Sequence, residues 1–266
     1  MIKAAIFDVD KTLLSHQNRC IPQSAVNAIE DLRKEGMKII IATGRPVYAL
    51  DELKDAGVQF DYVVGCNGHC VFEADELLDA SYFTYEQVQQ LTDFCLEKDY
   101  VLLWKYSDMN YVYNGVERMM EIHEKMQIEE PFIACETCDH HHTILPFGAV
   151  VYAPQEEVQK YVETQDPSLI FFEWTKDCFD VSLKAVSKIT GLELLLRKID
   201  ILLDECIAFG DGSNDYEMLQ HAGIGVAMKE CHPSLLEVCD YQTDDCLEDG
   251  IAKGLLYYQL IDEIRR

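Results

Sequence analysis

Short apolar runs alternate with amphipathic stretches at both ends of the chain, and this alternation restricts the possible folds more than any other feature of the sequence. Strands that alternate with helices form parallel βαβ units. The predicted strands cover residues 3–7, 38–42, 61–64, 205–209, 224–227 and 240–243, and the predicted helices cover residues 22–35, 46–56, 214–221 and 247–264. We therefore predict an α/β protein whose core is a doubly wound parallel sheet.

The middle of the chain has a different pattern. A helix is predicted at residues 85–97, and short aromatic-rich runs follow it. The predicted strands there are 101–106, 111–113, 148–153 and 169–174, with a helix at 154–164. This pattern indicates an α+β module with an antiparallel sheet, inserted into a split α/β domain. We expect a core domain of residues 1–81 and 186–266, and a cap domain of residues 82–185.

The charge balance restricts the partners. The chain has 22 basic and 48 acidic residues, a formal net charge of −26. Nucleic acid and anionic membrane surfaces would repel it. Any phosphate that it handles must be attracted locally, by a bound cation or by a few basic groups.

The eleven cysteines are odd in number and scattered along a long chain, unlike a disulfide framework. No secretory signal is evident, and no run approaches the ~18 consecutive apolar residues of a membrane helix. We expect a cytoplasmic protein with reduced thiols.

Asp8 and Asp10 follow the first predicted strand directly, in the string Phe-Asp-Val-Asp-Lys-Thr. Ligands of doubly wound sheets bind beyond the carboxyl ends of the strands. One of two such carboxylates can attack phosphorus while the other transfers protons. The pair alone would equally fit a solvated acidic turn.

Two further motifs lie at strand ends or helix starts. Thr43 and Gly44 follow the second strand, where a hydroxyl and a close backbone approach suit a phosphate oxygen. Lys188 opens a predicted helix and could neutralise a carboxylate or a phosphate. Each motif alone has an ordinary alternative, helix capping for Thr43 and a surface side chain for Lys188.

The last motif, Gly-Asp-Gly-Ser-Asn-Asp, follows the strand predicted at 205–209. It brings Asp211, Asn214 and Asp215 onto a loop that leads into a helix. Carboxylate oxygens are the ligands that Mg²⁺ takes in proteins. Helix capping would explain Asn214 or Asp215, but not Asp211 between two glycines.

Together these motifs resemble those of the haloacid dehalogenase superfamily, in its phosphatase branch. All four occur in the family's order, and the insertion between the second and third motifs resembles the Cof-type subfamily. The resemblance covers the whole chain. One departure is Lys229–Glu230, where the family usually has Gly-Asn, and no catalytic position is affected.

The resemblance implies a role for each residue around the nucleophile. Asp8 would be the nucleophile and a metal ligand. Asp10 would be the general acid and base, with its backbone carbonyl on the metal. Lys188 would balance charge around Asp8 and bind phosphate.

The same resemblance assigns the phosphate and metal groups. Thr43 and Gly44 would bind a phosphate oxygen, and Asn214 would orient phosphate or Lys188. Asp211 would ligate Mg²⁺, and Asp215 would hold it directly or through water. The implied activity is hydrolysis of small phosphomonoesters, such as sugar phosphates or phosphorylated cofactors, through an aspartyl phosphate.

Three alternatives remain open from the sequence. The first is a phosphomutase of the same superfamily, which would share the nucleophile. The second is a phospho-receiver module, which also clusters aspartates. The third is a protein that only senses phosphate, although such a protein would not need Asp10. The substrate and the oligomeric state cannot be read from the sequence.

A second group of possible ligands lies in the inserted segment. It contains Cys135, Cys138 and the three histidines His140, His141 and His142. There is one Cys-x-x-Cys and no second pair, so a polar loop is favoured over a structural zinc site.

Overall fold

The computed structural model describes residues 1–126 and 131–266, and its contacts divide the chain into two compact units. The first unit comprises Met1–Asp79 and Ser187–Arg266, and the second is Ala80–Val186. Among the described residues, none of the helices has the length and apolar character needed to cross a membrane.

The strands and helices are numbered along the chain. The strands are β1 Ala4–Phe7, β2 Lys38–Ala42, β3 Tyr62–Gly65, β4 Cys70–Glu73, β5 Glu76–Ala80, β6 Val101–Lys105, β7 Asn110–Asn114, β8 Phe132–Ala134, β9 Gly148–Tyr152, β10 Leu169–Thr175, β11 Cys178–Leu183, β12 Cys206–Gly210, β13 Ile224–Ala227 and β14 Tyr241–Gln242. The α-helices are α1 Gln23–Lys34, α2 Asp51–Asp55, α3 Tyr85–Glu97, α4 Val116–Met126, α5 Gln155–Thr164, α6 Lys188–Lys198, α7 Tyr216–His221 and α8 Gly250–Tyr257.

The first unit contains a sheet with the strand order β14-β13-β12-β1-β2-β3-β4-β5. Neighbouring strands from β14 to β3 run parallel, and β4 runs antiparallel to β3. Chain order increases in one direction from β1 to β3 and in the other from β12 to β14. The order therefore reverses between β1 and β12, where doubly wound sheets bind their ligands. The predicted doubly wound parallel sheet is confirmed.

Central strand β1 shows why these residues form this sheet. All four of its residues, Ala-Ala-Ile-Phe, are completely buried, as expected for a parallel strand covered on both faces. The Phe7 ring stacks on Phe209 of β12 with ring centroids 5.3 Å apart. Each fully buried side chain of this size contributes about 1.5–3 kcal/mol. This packing holds the ends of β1 and β12 side by side.

The second unit contains a six-stranded sheet in the order β10-β11-β9-β6-β7-β8. Its described neighbours are antiparallel except for the parallel pair β7 and β8. Alternate residues of β6 face opposite sides: Leu102 and Trp104 belong to one apolar cluster, and Val101 and Leu103 belong to another. The predicted α+β module with an antiparallel sheet is confirmed.

Several elements differ from the prediction. The strands β4, β5, β8 and β11 and the helix α4 were not predicted, and α8 ends at Tyr257 instead of continuing to residue 264. In the turn between β4 and β5, the residue with a positive φ is Ala74, at 49°. Glycine or asparagine usually occupies such a position, so the sequence did not indicate a turn here. Gln259 has a φ of 57°, which is incompatible with continuation of the α8 helix.

Replacing Ala80–Val186 with a short Gly/Ser linker should leave the first unit folded. The apolar cluster around its sheet is formed by residues of the first unit alone. We expect the shortened protein to keep a mixed α/β far-UV circular dichroism spectrum and a cooperative thermal transition. A shortened protein that melts without cooperativity would show that the two units depend on each other for folding.

Candidate active site

Three adjacent strands of the first unit end beside one another, and each is followed by one of the predicted motifs. Asp8 follows β1, Thr43 follows β2 and Asp211 follows β12. The backbone continues the sheet for one residue, because the Asp8 amide donates to the Phe209 carbonyl at 3.0 Å. The sheet order therefore brings together residues that are far apart in sequence.

Three carboxylates form a group that could hold a metal ion. Asp8, Asp211 and Asp215 are buried, and one oxygen from each lies within 4.8 Å of the others. Asp215 Oδ2 also accepts hydrogen bonds from the backbone amides of Asp211 and Gly212, at 3.0 and 2.9 Å. A Cβ atom on Gly210 would lie 2.6 Å from Asp215 Cγ, so glycine at this position makes room for the carboxylate. The group consists of hard oxygen donors and fits a cation such as Mg²⁺.

The ammonium group of Lys188 is the basic partner of this group. Lys188 opens α6, and its Nζ donates to Asp8 Oδ1 at 2.5 Å and to Asp215 Oδ1 at 2.7 Å. Burial alone would lower the pKa of Lys188, but the charges of Asp215 and Asp8 outweigh burial and raise it. The lysine therefore remains charged between two carboxylates.

One lysine does not balance the charge of all three carboxylates. Burial is the largest influence on Asp8 and, with the charges of Asp215 and Asp211, raises its pKa well above the usual value despite Lys188. Burial and the charge of Asp215 raise the pKa of Asp211 to about 6. Without a cation, the site thus favours the uptake of protons.

Asp10 lies in a different electrostatic environment. Arg45 donates to both of its carboxylate oxygens, from Nε at 2.8 Å and from Nη2 at 2.6 Å, and His16 Nε2 lies 2.9 Å from Oδ1. Burial would raise the pKa of Asp10, but the hydrogen bonds from His16 and Arg45 lower it well below the usual value. Arg45 also donates to Glu52 at 3.0 Å. The sequence analysis assigned no role to Arg45 or His16. The position of Arg45 directly after Thr43 and Gly44 was an available signal, whereas nothing marked His16.

Two threonines lie next to these groups. Thr43 is completely buried, and its Oγ1 accepts from the Arg45 amide at 3.1 Å. Thr12 Oγ1 donates to Asp211 Oδ1 at 3.0 Å and so joins the β1 and β12 loops. The sequence analysis missed this contact, although Thr12 belongs to the first motif.

Asn214 lies on the loop after β12 and contacts a residue that the sequence analysis did not select. Its Nδ2 donates to Asn67 Oδ1 at 2.9 Å. Asn67 follows β3 and lies beside Gly44, where a Cβ atom would be 3.3 Å from Asn67 Oδ1. An Asn-Gly pair one residue beyond the end of an apolar strand was the available signal.

The cysteine and histidine residues of the second unit contact aromatic side chains. The His140 ring stacks on Tyr111 at 3.7 Å, His141 Nδ1 lies 3.1 Å from the Tyr113 hydroxyl, and His142 Nε2 lies 2.9 Å from the Tyr85 hydroxyl. Cys138 Sγ donates to the Tyr113 carbonyl at 3.1 Å. Across residues 1–126 and 131–266, the aspartate triad is the one group of three or more such ligands found close together.

A family model described as haloacid dehalogenase-like hydrolase matches residues 5–255. The putative phosphatase YkrA of Bacillus subtilis (strain 168) is 25% identical over 253 residues, which cover 94% of this chain and 95% of that protein. The 5-amino-6-(5-phospho-D-ribitylamino)uracil phosphatase YcsE of the same strain is 24% identical over 261 residues, which cover 97% of this chain and 96% of that protein.

Solved structures agree with these matches. BT1666 from Bacteroides thetaiotaomicron, a phosphatase of this superfamily, has a TM-score of 0.88 and 29% identity, over 98% of this chain and 96% of that chain. The subclass IIB sugar phosphatase BT4131 has a TM-score of 0.84 and 30% identity, over 97% of this chain and 100% of that chain. These matches confirm two predictions, that the protein is an enzyme and that it is of the Cof-type branch. The chain belongs to the haloacid dehalogenase-like hydrolases.

Proposed function

We propose that this protein is a Mg²⁺-dependent phosphatase that hydrolyses small phosphomonoesters through an aspartyl phosphate on Asp8. One observation carries the proposal: Asp8 is buried at the carboxyl end of β1, bonded to Lys188 and within 4.8 Å of two further carboxylates. A carboxylate in this position can attack phosphorus while its negative charge is balanced locally.

The chain's own groups account for both chemical steps. In the first, the oxygen of Asp8 that is not bonded to Lys188 attacks phosphorus, the ester P–O bond breaks, and Asp10 gives a proton to the leaving oxygen. In the second, Asp10 takes a proton from water, the water oxygen attacks phosphorus, and the carboxylate of Asp8 leaves. Because Arg45 stabilises the charged form of Asp10, the proton-donating step requires Asp10 to be released from Arg45.

Other residues would bind the transferred phosphoryl group. Thr43, Gly44 and Asn214 lie at the ends of β2 and β12, where hydroxyl, backbone and amide donors can contact its oxygens. Lys188 adds a positive charge beside the nucleophile. These groups position the substrate for in-line displacement, which is most of what phosphoryl transfer requires of a protein.

Asp8 and Asp211 would bind the metal ion, Asp215 would do so directly or through water, and the Asp10 backbone carbonyl would contribute a further oxygen. Bound there, Mg²⁺ would supply positive charge that reduces the repulsion of an anionic phosphate by the anionic nucleophile. Burial and the neighbouring carboxylate charges raise the pKa values of Asp8 and Asp211, and a bound cation would stabilise their charged forms, which supports this assignment.

The proposed substrates are sugar phosphates or phosphorylated cofactors in a reducing cytoplasm. The sugar phosphatase BT4131 and the phosphoribitylaminouracil phosphatase YcsE support this range. All eleven cysteines have free thiols, in accord with that compartment. The net charge of −26 argues against nucleic acid and membrane partners.

Purified protein should release inorganic phosphate from a panel of sugar phosphates and phosphorylated cofactors when Mg²⁺ is present, and excess chelator should abolish the release. A colorimetric phosphate assay measures both, and restoring Mg²⁺ is the control. Full turnover in chelator would refute the metal dependence. An isomerised sugar phosphate without free phosphate would identify a phosphomutase, and a single phosphorylation without turnover would identify a receiver.

Asp10→Asn should slow hydrolysis of an alkyl phosphate by about 10²–10⁴-fold, the usual contribution of a general acid. The loss should be smaller for p-nitrophenyl phosphate, since that leaving group needs less protonation. The kcat/KM of each variant on both esters decides the point, because it reports the first step and not the second, in which Asp10 acts as the base whichever ester was used; Asp75→Asn is an exposed control. Equal losses on the two esters would contradict the acid role of Asp10.

Asp8→Asn should abolish turnover and leave the metal-free protein at least as stable as the wild type. The amide mimics the neutral form that burial favours, and Lys188 keeps Asp215 as a partner. Mg²⁺ at a hundredfold excess over its Kd should stabilise the wild type by ~2.7 kcal/mol and the variant by less. Melting temperatures at pH 7.5, with and without Mg²⁺, measure both effects. A metal-free Asp8→Asn protein that melts clearly below the wild type would make Asp8 a structural residue.

A further inference from the structure

The turn after β3 has an unusual backbone. Cys66, Asn67 and Gly68 have φ values of 49°, 55° and 102°, and the first two are not glycine. Such conformations are unfavourable for side-chain-bearing residues and persist where surrounding contacts impose them. Two backbone hydrogen bonds do so here: the Cys66 amide donates to the Arg45 carbonyl at 3.0 Å, and the Asn67 amide donates to the Thr43 carbonyl at 2.9 Å.

The same turn packs against the helix that begins with Lys188. A Cβ atom on Gly68 would lie 2.0 Å from the Ser187 carbonyl oxygen, so only glycine permits this approach. One turn further along α6, a Cβ atom on Gly191 would lie 2.8 Å from Gly68 Cα. The Cys66–Gly68 turn therefore contacts both the loop after β2 and the start of α6.

The Asn67 side chain adds the third connection. It is 7% exposed, and its Oδ1 accepts from Asn214 Nδ2 at 2.9 Å beside Gly44. An amide nitrogen carries two N–H groups. The hydrogen bond to Asn67 uses one N–H group of the Asn214 side chain and fixes the direction of the other N–H group.

We infer that Asn67 is a positioning residue for phosphate binding. It orients the side-chain amide of Asn214 and holds that amide beside the Thr43–Gly44 turn. This inference rests on the proposed function, because it assigns the oriented Asn214 amide to an oxygen of the substrate phosphate. Donors that are already oriented bind an anion without a further ordering cost. Loss of the Asn67 side chain would free the Asn214 amide to rotate and would weaken the binding of substrate and phosphate.

Asn67→Gly isolates this contribution. Glycine adopts a φ of 55° without strain and keeps the amide that bonds to Thr43, so only the side chain is lost. Ala74→Gly is the matched control, since Ala74 is exposed, has a φ of 49° and lies in the turn between β4 and β5. Melting temperatures of both variants check that the fold is intact.

The steady-state kinetics of Asn67→Gly should show weaker binding with little change in chemistry. We expect KM and the competitive inhibition constant of orthophosphate to rise about tenfold, as for the loss of one hydrogen bond to a charged ligand, while kcat stays within about threefold. Ala74→Gly should behave as the wild type. An unchanged KM and inhibition constant in folded Asn67→Gly would overturn the inference.

A double-mutant cycle tests whether Asn67 acts through Asn214. If it does, Asn67→Gly should raise KM about tenfold in the wild type and by less than about twofold in an Asn214→Ala background. Equal effects in the two backgrounds would refute the positioning role.

Calorimetry with orthophosphate and Mg²⁺ separates this inference from the proposed function. Wild-type protein that binds orthophosphate about tenfold more tightly than Asn67→Gly would support Asn67 even if no ester were hydrolysed. Equal orthophosphate affinities in these two proteins would overturn the role of Asn67 and leave any measured phosphatase activity standing.

Discussion

The contact of the Lys188 ammonium group with Asp8 and Asp215 is the interaction on which the rest of the site depends. Charges buried without partners are very costly, and pairing offsets this cost only when the geometry is well defined. That geometry requires β1, the start of α6 and the loop after β12 to meet at one point. Asp211 adds a third carboxylate, whose own pKa is raised to about 6 by burial and by the charge of Asp215. The fold thus maintains a local excess of negative charge that suits a bound cation.

The sequence was sufficient to predict that three of the candidate site residues lie directly at strand ends. Asp8, Thr43 and Asp211 each follow a run of apolar residues, and a sharp change from apolar to polar residues marks the end of a buried strand. The end of β2 at Ala42 was predicted for the same reason. The bonds of Arg45 to Asp10 and of Asn67 to Asn214 could not be predicted, because they depend on how separate loops meet in three dimensions.

The net charge of the whole chain does not show how individual charges are paired within the site. Arg45 is bonded to Asp10 and Glu52, so its positive charge is shared between two carboxylates. Lys188 is shared in the same way between Asp8 and Asp215. Each basic group thereby orients acidic groups as well as balancing them. Composition predicts long-range repulsion of polyanions, whereas these local pairs determine the charge distribution within the site.

The pairing of β1 with β12 has a consequence for the synthesis of the protein. The bond from Thr12 to Asp211 joins residues 199 positions apart, and Ala4 pairs with Cys206 across the same two strands. On the ribosome, the chain emerges at roughly 5–20 residues per second, so β1 emerges long before β12. The edge of β1 that pairs with β12 therefore stays unpaired for on the order of 10 s, whereas its other edge pairs with β2. Exposed apolar edges of this kind invite association with other chains, so the nascent protein is exposed to aggregation until β12 is made.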